Sequence, residues 1–204
     1  MELKSIKQMN ITVLFPAPLN HLLISIQELI KDLNKDNQDQ DKTTLLDAPG
    51  LKVLTYPKRA KDIVYEQNRL LINDREFENL EKSPIFDYLD KGFKQIKQDR
   101  KSIAAYGFNF DVIAKSIKKR DLLGQQILRV VKGVADEVQE QGAKVIFTRK
   151  GTRFDLQLTP LGSKDELLIH LNTHYSKNEL PETKVLKKEA QSDFEEFKKL
   201  IDRL

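Results

Sequence analysis

Three histidines, a scatter of carboxylates and several basic clusters are the residues of this 204-residue chain with types suited to chemistry. His170 and His174 are separated by three residues, a spacing that brings two imidazoles to one metal ion only on a helix. The flanking alternation, Leu167, Ile169, Leu171, Thr173 and Tyr175 against His170, Asn172 and His174, is that of a strand. On a strand the two rings stand roughly 13 Å apart. No metal is therefore expected, and His170, Asn172 and His174 are read as a row facing a partner. His21 stands alone and is expected at a surface or boundary.

Asp36, Asp39 and Asp41 lack the central glycine and closing glutamate of a calcium loop, so they read as a solvated charge run. Asp62, Asp74, Glu76 and Asp155 form no pair whose spacing defines an acid and a base. Phosphate-binding glycine loops, nucleophile elbows and zinc-helix motifs are all missing, and with no cysteine there is neither a thiol nucleophile nor a disulfide. No catalytic residue and no cofactor are expected, although a site assembled only in the fold leaves no local motif.

The basic residues are the other candidate. Lys58, Arg59 and Lys61 surround one predicted hairpin turn, Arg149, Lys150 and Arg153 another, and Lys118, Lys119 and Arg120 a predicted helix start. If the hairpins converge, they form a phosphate-binding surface for nucleic acid. The formal net charge of +4, from 35 Lys+Arg against 31 Asp+Glu, is a weak field, and ordinary solubilising charge at turns is the favoured explanation of the clusters. Tyr106, Phe108 and Phe110 share one face of a strand; exposed, they would stack on bases, but a row of rings is more cheaply explained as core.

The elements that position these residues follow from periodicity. Ile11, Val13 and Phe15 alternate in a strand over 3–15, and Leu19, Leu22, Leu23, Ile26, Leu29, Ile30 and Leu33 recur at helical spacing. Residues 34–50 are polar, aperiodic and expected to form a loop, and a β-meander follows from Leu51. Ser83-Pro84 opens a helix expected to run to about Arg100. The second half repeats the order: a strand over Tyr106–Val112, a helix over Ile117–Gln139, a meander from Gly142 to Ser176, and a last helix after Pro181 with a break expected near Ser192 and Glu195.

The expected fold is α+β, with two similar strand–helix–meander–helix halves, 1–100 and 101–204, each a mostly antiparallel sheet covered by helices. No apolar stretch is long enough to span a bilayer and no secretory leader is evident, so the expected location is the cytoplasm. The expected function is non-enzymatic binding of a protein partner, or self-association, through a sheet face or edge. Nucleic-acid binding is the alternative, and an enzyme the third.

Overall fold

The computed structural model describes residues 1–34, 42–115, 142–161 and 163–204, with only the backbone for 163–165. Nine antiparallel strands form one sheet in the order β2-β3-β4-β5-β1-β6-β9-β8-β7. They are β1 (Glu2–Leu14), β2 (Thr44–Ala48), β3 (Leu51–Tyr56), β4 (Lys61–Glu66), β5 (Arg69–Asp74), β6 (Ala105–Lys115), β7 (Ala143–Arg149), β8 (Thr152–Leu161) and β9 (Ser163–Tyr175). The described helices are α1 (Ile26–Asn34), α2 (Ile85–Ile96) and α3 (Thr183–Arg203). The molecule is thus α+β with a mostly antiparallel sheet, and no described helix is long and apolar enough to cross a membrane.

Period-two alternation decides which face is core. Met9, Ile11 and Val13 of β1, Phe108, Phe110 and Val112 of β6, and Ile169 and Leu171 of β9 are fully buried. Helix α2 packs on β5 and β1, α3 on β1 and β6, and α1 beside α2. Phe110 lies between Phe77, Phe194 and Phe197, with ring centroids 5.1–6.4 Å away. Tyr106, Phe108 and Phe110 are therefore core residues beneath the helices.

The central pair, β1 with β6, sets the plan. Outward from β1 lie β5, β4, β3 and β2; outward from β6 lie β9, β8 and β7. On either side the last strand of a meander pairs with a strand that precedes it in the chain. Gly107 is required at the β6–β9 junction, because a Cβ there would sit 2.1 Å from the carbonyl oxygen of Thr173.

Several sequence expectations are corrected. Leu22 and Leu23 are exposed and belong to a short 3-10 turn capped by Asn20; the α-helix starts only at Ile26, where Ser25 accepts from the Glu28 amide. Thr44–Ala48, expected as loop, is edge strand β2, because its backbone has β3 to pair with. Helix α2 ends at Ile96, where Lys97 takes a left-handed conformation with φ 57°. Helix α3 runs through Ser192 without the expected break, since Asp193, Phe194 and Phe197 all pack inward. The helix expected over 117–139, Lys118, Lys119 and Arg120, and Asp36, Asp39 and Asp41 lie outside the described residues.

Candidate functional site on the open face of the sheet

The side of the sheet opposite α1, α2 and α3 carries no helix among the described residues. One register row crosses it through Asp62, Asn73, Asn10, Asn109, Asn172 and Asp155, on strands β4, β5, β1, β6, β9 and β8. The row reads the same from both ends: carboxylate, amide, amide, then amide, amide, carboxylate. Asn172 donates to Asn109, Asn109 donates to Asn10 at 2.6 Å, and Asn73 donates to Asp62 at 3.2 Å. Each terminal carboxylate has a cation, Arg75 at 3.1 Å from Asp62 and Lys144 at 2.8 Å from Asp155. The amides of Asn172, Asn109 and Asn10 are thus bonded in one direction, whereas the buried Oδ1 of Asn73 has no partner among the described residues.

Beside this row the two flanks of the β1–β6 seam differ. In the second half His170 Nδ1–H donates to Asp111 at 2.5 Å, and the other carboxylate oxygen of Asp111 accepts from Gln8. Burial works against the Asp111 charge, but the bonds from His170 and Gln8 outweigh it and hold the carboxyl below its ordinary range. Asp155 is likewise held low, by Lys144 and Gln157 against burial. On the β2–β5 side the face is apolar: Leu46, Val53, Val64 and Leu71 form a row that continues through Thr12 and Gly107 to His174 and Arg153.

Two open depressions mark the polar half. One, of about 360 Å³, lies over Gln8, Asn10, Asn109 and Asp111; the other, of about 290 Å³, is lined by Arg153, Asp155, Gln157, His170, Asn172 and His174. Arg153 and His174 face each other across β8 and β9. Neither side chain has a hydrogen-bond or ion partner among the described residues. His170 Nε2 also has none, so the Asp111–His170 pair has an orienting acid but no bonded nucleophile, and the arrangement offers a donor or acceptor rather than a triad. Among the described residues no three acids or histidines are arranged to hold a metal.

The structure thus joins Arg153, taken from the sequence as a phosphate ligand, to His170, Asn172 and His174, taken as partner-facing. It separates the other basic residues from them. Lys61 is buried, paired with Asp74 at 2.7 Å and donating to the Arg59 carbonyl. Arg59 donates to Tyr88 at 3.1 Å and lies over the Tyr56 ring. Arg149 pairs with Glu196, whereas Lys58 and Lys150 are exposed at turns. The 57–60 turn and the 150–151 turn sit at opposite ends of the strands, and β4 is five strands from β8, roughly 24 Å. These two hairpins do not converge. His21 is taken up by backbone carbonyls of Leu19 and Tyr65.

Gln8, Asn10, Asn73 and Asp111 had no signal as site residues, because register between distant strands is not written in either strand. Alternation alone placed Asn109 and Asp111 on the face opposite the rings. No protein-family model matches the chain, and no curated protein is similar to it.

Proposed function

We propose that the protein is a non-enzymatic, cytoplasmic binding protein whose open sheet face receives a protein partner. The observation that carries this reading is the pair Arg153 and His174, without a partner among the described residues and set in a surface where Asp62, Asp111, Asp155 and Lys144 are already paired. Donors without partners among the described residues of a largely paired polar face are what a second molecule can satisfy. The adjoining Leu46–Val53–Val64–Leu71 row supplies apolar area that a protein interface can dehydrate. Leu45 and Leu46 on one edge strand and Val145 and Ile146 on the other are also exposed, so edge pairing with a second copy is a further mode of association.

Nucleic acid is the weaker alternative. A phosphate backbone would cross the carboxylates of the amide row, and the basic hairpins lie at opposite corners.

Gln157→Tyr fills the smaller depression with a strand-compatible side chain. Proteins retained from a native extract by the unmodified chain should be released by this variant, with an unchanged circular dichroism spectrum. Retention of the same proteins by both would end the open-face reading.

We further propose that 1–100 and 101–204 are diverged copies of one unit, packed edge to edge. Support comes from the matching order of strands outward from β1 and β6, and from the matching row, in which Asn10, Asn73 and Asp62 correspond to Asn109, Asn172 and Asp155. The segments MNITV and FNFDV at the centre align on their asparagines.

A further inference from the structure

Resting on the open-face reading, we infer that Arg153 and His174 form a subsite for one carboxylate side chain of an extended segment in an acidic protein partner. Directly opposed residues on antiparallel strands have Cβ atoms about 4.5–5.5 Å apart, close enough for one carboxylate to meet both side chains. The guanidinium presents a fork of donors that matches a carboxylate, and no group of the described chain uses it. Asn172, in the next row of the same face and lining the same depression, has its amide fixed by its donation to Asn109.

The row through the subsite also defines what lies next to the carboxylate. From His174 it passes over Gly107, which has no side chain, and Thr12 to Leu71 and Val64. Three strand steps separate His174 from Leu71, roughly 14 Å, which is about four residues of extended chain. Residues four apart in an extended segment point to the same side. The segment that fits therefore carries an acidic residue and an apolar one four positions apart.

A single anion suits this place better than a polyanion. Asp155 is paired with Lys144 and Asp111 accepts from His170 and Gln8, so one added carboxylate meets Arg153, which has no partner among the described residues, beside acids already bonded. A run of phosphates would extend onto Asp62 and Glu66, with the 57–60 turn out of reach.

The test is an NMR titration of the full chain with the acetylated peptide amide Glu-Thr-Thr-Thr-Leu, its Gln-for-Glu counterpart, inorganic phosphate and a single-stranded oligothymidylate. The Glu peptide should shift the Arg153 Nε–H, the His174 ring and the Leu71 methyls. The Gln peptide, and the Glu peptide on Arg153→Gln, should bind about tenfold more weakly, as expected for loss of a charge-assisted bidentate contact. Lys188→Gln, on the outer side of α3, should change nothing. Equal binding of both peptides, no shift at Arg153, or tighter binding of the phosphate or the oligonucleotide than of the Glu peptide would overturn the subsite. If Gln157→Tyr releases an extract partner that Arg153→Gln retains, the subsite is wrong and the open-face reading stands; if neither releases it, both are wrong.

Discussion

On the helix side of the sheet, Asp193 makes the stability of the fold depend on pH. Tyr106 and Tyr175 stack at 4.9 Å, and their hydroxyls donate to Glu189 at 2.7 Å and to Asp193 at 2.9 Å. Burial pushes the Asp193 carboxyl up to about 6; Thr173 and Tyr175 pull against it, and Glu189 adds to the rise. A folded-state value above the unfolded one means that Asp193 contributes stability below about pH 4, and that this contribution is lost as pH rises through about 6. Asp193→Asn keeps an acceptor for Tyr175 without the charge. Urea unfolding should find the variant more stable at pH 7 by on the order of 1–3 kcal/mol, with the difference shrinking toward pH 4. An equal difference at both pH values would contradict the assignment.

At the scale of elements, the basic hairpin of the first half is structural. Lys61→Ala leaves Asp74, which is 1% exposed, without its cation, and should cost about 3–5 kcal/mol in urea unfolding. A cost within about 0.5 kcal/mol, as for an exposed turn charge, would contradict the buried pairing. Phe108→Ala, in the most buried part of β6, should likewise cost roughly 3–5 kcal/mol. Strands and core were legible because alternation survives in a single sequence: the YGFNF rings are buried as their shared face required. The Lys61 environment was not legible, since turn position suggests exposure and only the fold brings Asp74 to it. The same holds for the open face, where His170 and Asp111 are 59 residues apart in sequence. Leu22 misled because an i, i+3, i+4 pattern can continue by chance past the cap that ends it.

At the scale of the whole molecule, the two chain ends meet. The amino group of Met1 donates to the Ile201 carbonyl at 3.0 Å, and residues 1–100 and 101–204 meet along the β1–β6 seam and through α3, which packs on β1 and α2. A circular permutant that links Leu204 to Met1 and opens between Lys101 and Ser102 exchanges the order of the halves without cutting an element. It should fold cooperatively, with circular dichroism matching the parent. An unfolded or multistate permutant would count against two halves packed edge to edge.

The most direct measurement on the central claim, that the open face receives a protein, is photocrosslinking in native extract with benzoylphenylalanine placed either at Gln157 on that face or at Lys188 on the outer side of α3. Protein adducts are expected from position 157 and none from position 188. Equal adducts from both positions, or only nuclease-sensitive adducts from position 157, would contradict it.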